Sequence, residues 1–217
     1  MTDPFSEISK SLDHIKEEME YLKQNQVLIG FFGEDGSGKD DSQIITIVRA
    51  NEYGTHIVPH NGSGRLWIPS RNAIKKYGKT VKPKDVPGLF KSPTGNSAGI
   101  NEGGKYVLYF YLLKQVTIPA RPFIRKAFLD NRDKYRKLVK AGIDKIVYED
   151  GTGKQLLSQL GSVGVSDIRQ SMRRWTKPGN APLTIDNKMG QDNPLVDTGQ
   201  LIKHATYKIM PIGGVET

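Results

Sequence analysis

Apolar residues recur every three or four positions in several stretches of this chain and run almost unbroken in others. Phe5, Ile8, Leu12, Ile15, Met19 and Leu22 predict an amphipathic helix over residues 4–23, with Asp3 as its cap and Pro4 in its first turn. Residues 27–32 have the length and apolarity of a strand, and 33–41 form a polar turn. Residues 43–53 read as a helix with Ile44, Ile47, Val48 and Ala50 inward, stopped by Gly54. Residues 56–64 read as loop. Leu66, Trp67 and Ile68 make a short strand ended by Pro69, and 71–77 a short basic helix.

The longest predicted strand covers 105–118, and its continuous apolarity points to burial on both faces or to an exposed face used in assembly. Pro119 ends its ladder pairing, and Pro122 suits the first turn of the helix that follows. The pair makes a rigid strand-to-helix corner. Helices are predicted over 121–148, with a stripe through Phe128, Tyr135, Leu138, Val139, Gly142, Ile146 and Val147, and over 154–175, with a stripe from Leu156 to Trp175. Gly161 and Gly164 would let a neighbouring helix come close. Residues 177–193 read as irregular loop, 198–203 as a helical turn and 204–210 as a final strand. Residues 78–104, rich in Gly, Pro, Ser and Lys with one apolar patch at 86–90, read as a long excursion, mobile or held by a partner.

This order defines an α+β fold, a mostly antiparallel sheet packed against helices with an N-terminal helix and a long loop excursion. The expected organisation is an amphipathic helical extension (1–25), one α+β domain (26–210) containing the 78–104 insertion, and a C-terminal tail (211–217). The 217 residues suit that reading. The absence of cysteine excludes disulfides and thiolate metal sites. No apolar run reaches the ~18 residues that span a bilayer, and residues 1–10 lack the apolar core of a secretory signal; no membrane role is expected.

A net charge of +9 permits contact with nucleic acid without requiring it. Lysine and arginine outnumber acids across 121–150, and Arg169, Arg173, Arg174 and Lys177 extend the next helix. The aromatic residues needed to stack bases are not interleaved with them, so ion pairs at a subunit interface are favoured over phosphate contacts.

Two motifs imitate catalytic ones. Gly33-Glu34-Asp35-Gly36-Ser37-Gly38-Lys39 has P-loop spacing between a predicted strand and helix. Asp40, however, stands where Ser or Thr would hold magnesium, and Glu34, Asp35, Asp40 and Asp41 would repel a polyphosphate. Asp197-Thr198-Gly199 is the tripeptide of aspartic proteases, but too little chain follows it to complete such a lobe; Asp197 or Thr198 capping a short helix is the better reading. His56 and His60 lack a third ligand, His14 belongs at a helix surface or core edge, and Gly161-Ser162-Val163-Gly164 is no nucleophile elbow. No catalytic residue, cofactor or metal is expected.

Three blocks occur in order: Asn51-Glu52-Tyr53-Gly54-Thr55, then Val116 through Arg125 with its two prolines, then Asn193-Pro194-Leu195-Val196-Asp197-Thr198-Gly199-Gln200-Leu201. Together they resemble the tail-component, or virion-morphogenesis, family of tailed bacteriophages, the small tail-completion and neck proteins. The resemblance covers about residues 27–210. It implies a structural virion protein of the head–tail junction that joins or caps the tail, a homo-oligomeric and hexameric ring, with tail tube, terminator and head connector proteins as partners and genomic DNA passing its lumen. It implies residence in the virion neck, and in host cytoplasm during assembly. On this reading Tyr53, Arg121, Phe123, Arg125, Asp197 and Leu201 are the expected subunit-contact residues, and most basic side chains face outward or meet acids on partners. The alternative is a basic nucleic-acid-binding protein acting in packaging or regulation.

Overall fold

A computed structural model describes residues 4–33, 39–60, 64–188, 190, 192–197 and 199–213. In chain order the elements are α1 (Pro4–Gln24), β1 (Asn25–Gly30), α2 (Lys39–Tyr53), β2 (Thr55–Ile57), β3 (Leu66–Pro69), α3 (Arg71–Tyr77), β4 (Phe90–Lys91), β5 (Ser97–Glu102), β6 (Lys105–Leu113), β7 (Val116–Ile118), α4 (Phe123–Asp130), α5 (Arg132–Tyr148), α6 (Gly153–Arg174), α7 (Pro182–Asn187), α8 (Gln200–Lys203) and β8 (Thr206–Pro211). All the strand pairs are antiparallel. The fold is therefore α+β with helices packed on antiparallel sheets, as the pattern predicts.

The chain divides into two compact units. The first is Met1–Val48, Pro122–Trp175 and Thr198–Thr217; the second is Arg49–Arg121 and Thr176–Asp197. This differs from the expected single domain with a helical extension. The 4–24 helix belongs to the first unit and packs on its other helices rather than standing apart.

In the first unit α6 is the central element. Its Thr152 cap accepts from the Gln155 amide while the Gln155 side chain accepts from the Thr152 amide, closing both ends of a capping box. Leu156, Leu157, Val165, Ile168 and Met172 are buried along one stripe. β1 pairs with β8 from Asn25↔Pro211 to Gly30↔Thr206 and lies on that stripe. Gly161 and Gly164 do admit a close neighbour, but it is this strand pair and not a helix: a Cβ at Gly161 would enter the ring of Tyr207, and one at Gly164 would lie 2.6 Å from Ile29 Cδ1. The helix that comes closest through a glycine is α5, where Gly142 receives Leu156. Leu12 and Ile47, expected inward, are exposed, whereas Ile44 and Val48 are buried.

The expected 121–148 helix is broken at Asn131, which takes φ −113° and ψ 12° between α4 and α5. Its side chain donates to the Ala127 carbonyl at 2.8 Å, occupying one of the end groups that the break exposes. Pro122 sits one residue earlier than expected, at the cap of α4.

The second unit holds a four-stranded sheet of order β3-β6-β5-β4 and the separate β2-β7 pair. The 105–118 run is two strands, interrupted at 114–115, so its second half serves a different sheet from its first. The 78–104 segment is no excursion. Residues 90–91 and 97–102 supply two strands of the sheet, and Val81, Val86 and Ala98 join Ala73, Tyr109, Phe110 and Leu112 in its core. Its glycines and prolines make tight turns between short strands, a composition that also marks loops. Residues 177–193, expected as loop, contain α7. The 56–64 segment, also read as loop, contributes part of β2, for which a three-residue strand leaves no periodic signal.

Gly161→Ala tests the packing of α6. The substitution gains about 1 kcal/mol of helix propensity, but the new methyl must displace the Tyr207 ring, and overpacking typically costs about 1–3 kcal/mol. The expected outcome is a net destabilisation of roughly 1 kcal/mol, read as a lower urea midpoint; an unchanged or raised midpoint contradicts the packing described.

Candidate functional site

The proline corner forms because the chain leaves β7 with nothing left to pair and must turn immediately. β7 pairs with β2 from Thr55↔Ile118 to Ile57↔Val116. Gly54, at φ 76°, lies directly beneath the corner: a Cβ there would sit 2.9 Å from the Ala120 nitrogen and 3.1 Å from the Ile118 oxygen. Only glycine combines that φ with so close a backbone approach. One residue on, the Arg121 amide donates to the Asn51 carbonyl at 2.6 Å.

The Arg121 side chain then completes the site. It is only 5% exposed. Nη1 donates to Asn51 Oδ1 at 2.9 Å, Nε to the Pro178 carbonyl at 3.0 Å and Nη2 to the Gly179 carbonyl at 2.7 Å. A planar fork of donors is the group able to hold three acceptors in fixed directions. Burial pushes its pKa down and the Asp192 carboxylate opposes that shift; a guanidinium remains charged in any case. Asp192 also accepts from the Asn180 amide at 3.1 Å, tying the same loop together.

A second, half-buried cation organises the far end of this loop. Lys188 Nζ donates to the carbonyls of Asn193 and Val196, both at 2.9 Å, and Asn193 Oδ1 accepts from the Leu195 amide at 3.1 Å. Burial pushes the Lys188 pKa down, with Asp197 opposing and Arg121 and Lys79 adding to the shift. Asn187 Nδ2 donates to the Pro69 carbonyl at 3.1 Å. The first two blocks of the sequence thus meet directly: Asn51 and Arg121 bond to each other and, through Arg121, to Pro178 and Gly179 at the start of the loop that leads into the third block, all within the second unit.

The expected contact residues are distributed as follows. Tyr53, at the end of α2, is 68% exposed. Arg121 was expected at a subunit contact, yet its guanidinium is enclosed by its own chain. Phe123 is fully buried, edge-on to Phe31 at 6.0 Å, so it too is a core residue. Arg125 is exposed on α4 and Leu201 half-buried on α8. Asp197 does not cap α8, whose cap is Gly199; it pairs with Lys79 at 2.8 Å across an exposed contact, which contributes little. Thr198 and residues 34–38 of the P-loop-like turn lie outside the described residues. His56 Nδ1 lies 2.9 Å from Thr117 Oγ1, and no metal-binding cluster occurs among the described residues. Asn51, Lys188, Pro178 and Gly179 were not singled out as site residues. The Pro-Gly pair is a turn signal, but nothing local to Lys188 marks it as half-buried with its ammonium on loop carbonyls.

The basic helices also differ from a free phosphate-binding stripe. Lys134 reaches the buried carboxylate of Asp167, to which Tyr135 also donates at 2.8 Å. Lys126 pairs with Asp130 at 2.9 Å and Arg136 with Asp133 at 3.1 Å. Beside these pairs the first unit carries an apolar groove of about 400 Å³ bounded by Val27, Ile29, Ile124, Phe128, Tyr135 and Leu160. It continues into a shallower hollow of about 460 Å³ where Arg132, Arg136 and Lys140 surround Val139.

No protein-family model, curated protein or solved structure matches this chain.

Arg121→Ala removes three hydrogen bonds from a charged donor and leaves buried acceptors unpaired, so it should cost about 3 kcal/mol or more. Arg121→Lys keeps the charge but not the fork and should recover less than half of that loss; urea unfolding of both variants measures it, and full recovery by lysine would show that charge alone matters. Lys188 gives a pH test. Its folded pKa is depressed, so the penalty for holding it protonated is fully present at neutral pH. As pH rises from the folded pKa toward the ordinary 10.5, the folded state releases the proton first and unfolding free energy rises. The wild type should show that rise over the alkaline window and Lys188→Met should lack it; parallel pH profiles would contradict the depressed Lys188 pKa.

Proposed function

We propose that this protein is a structural subunit of a tailed-bacteriophage virion, acting at the head–tail junction as a tail-completion or neck ring. The observation that carries the reading is the convergence on Arg121. The blocks that resemble the family lie far apart in sequence, yet Asn51, Arg121 and the loop entering the third block interlock. Two segments remote in sequence thus build one rigid framework, which supports the reading. The role is one of joining and capping, for which a rigid framework and exposed contact surfaces suffice.

The surface supports it. Tyr53, Phe128, Leu129 and Tyr148 are large apolar residues more than half exposed, a composition suited to contacts with other protein surfaces. Lys134 is held against the buried carboxylate of Asp167, which takes one cation of this helix out of play for phosphate contact and weakens the nucleic-acid alternative.

The reading is tested by negative-stain imaging and native mass spectrometry of the purified chain, and by probing purified particles for it. Closed rings and a location at the neck are expected, with affinity for free duplex DNA that is weak at physiological salt. A salt slope corresponding to several phosphate contacts, together with absence from particles, would favour the nucleic-acid-binding alternative instead.

A further inference from the structure

Helix α5 carries complementary features at its two ends. At its start lies the apolar groove, walled by the stacked rings of Phe128 and Tyr135, 5.9 Å apart, and edged by Arg132 and Lys140. At its end stands Tyr148, 81% exposed, followed by the exposed carboxylates of Glu149 and Asp150. An aromatic side chain flanked by two acids suits an apolar hollow with a basic edge.

The projecting end is held firmly. Asp150 takes φ 52°, a left-handed conformation that Asp tolerates better than most residues. The amides of Glu149 and Gly151 both donate to the Lys145 carbonyl, at 2.8 and 3.0 Å. The Gly151 carbonyl accepts from His14 Nε2 at 3.1 Å, and the Gly153 amide donates to Glu18 at 2.7 Å. The turn between α5 and α6 is therefore tied to α1 on one side and closed by the capping box on the other. A projection fixed before binding loses little entropy on docking.

Groove and projection cannot meet within one chain. At 1.5 Å per residue, Tyr148 lies about 24 Å along the helix from Arg132. At about 100° per residue, it also lies roughly 180° around the helix from Val139. One feature faces each way, the arrangement a head-to-tail contact requires; such a contact generates a ring when its rotation closes.

We infer that the occupant of the groove is a second copy of this chain, with Tyr148 seated in the groove against the stacked Phe128 and Tyr135 rings of its neighbour and Glu149 and Asp150 set against that neighbour's Arg132 and Lys140. This inference rests on the ring reading above and supplies its contact. Tyrosine is among the residues that dominate interface energetics. It buries about 150–250 Å², so it anchors an interface whose full area, about 1,600 Å² in stable complexes, extends around it.

The test uses a broken projection and a broken groove on the full chain. Tyr148→Ala leaves the groove intact, and Phe128→Glu leaves the projection intact. Both positions are largely exposed, and thermal unfolding of each variant checks that folding is unchanged. By sedimentation velocity and native mass spectrometry, each variant alone should lose the ring, with subunit affinity reduced roughly 30-fold or more. An equimolar mixture should form one-to-one dimers and nothing larger, because one working projection meets one working groove and neither can propagate. Glu149→Lys should weaken the ring and Lys140→Glu in the same chain should restore it. Rings that persist in Tyr148→Ala overturn the proposed occupant while leaving the ring reading standing. A mixture that stays monomeric, or that grows beyond dimers, overturns the pairing of these two ends. A wild type that is monomeric at every concentration overturns both readings together.

Discussion

Arg121 donates to three acceptors drawn from two remote segments, and the second unit depends on that fork. The side chain holds Asn51 at the end of a helix and the carbonyls of Pro178 and Gly179 in a loop over fifty residues away. A charge so enclosed is expensive unless every donor is used; once used, it fixes distances and directions that apolar packing leaves loose. The proline corner sets where Arg121 emerges, and Gly54 lets the corner lie flat enough to reach. Remove any of these and the 176–197 segment loses its hydrogen bonds to the corner that follows β7.

The first unit is organised by close approach instead of by charge. α6 presents glycine where Tyr207 and Ile29 must enter and leucine where α5 must be filled, so a strand pair and a helix share a single helix as support. An apolar groove stays open where β1, α4, α5 and α6 come together, with Phe128 and Tyr135 in its wall on either side of the break at Asn131. The apolar stripe does not reveal that interruption.

The helices over 4–24 and 153–174, the short basic helix and the final strand are legible in the sequence from the spacing of their apolar residues, whereas the break at Asn131 is not. The second unit's sheet is less so. Residues 78–104 have the composition of a loop, yet Ala98 is wholly buried and pairs with Phe110; strands of two and six residues between tight turns are mostly punctuation and little pattern. The 105–118 run is visibly strand, but its interruption at 114–115 depends on which partner each half finds. At the candidate site the sequence points to Arg121 as a subunit contact, whereas its guanidinium is enclosed by its own chain. A charged residue between two prolines reads as exposed, and its burial is decided by a loop that arrives much later in the chain.

The sequence by itself determined the periodic elements, their order, the rigid corner and hence the α+β class, since these follow from spacing, proline and glycine within a few residues of one another. The tertiary structure alone decided which charges are enclosed, which glycines receive a neighbour, and where apolar faces stay open. Those outcomes depend on contacts between residues far apart in the chain, and desolvation acts on a side chain only when its distant neighbours have closed around it.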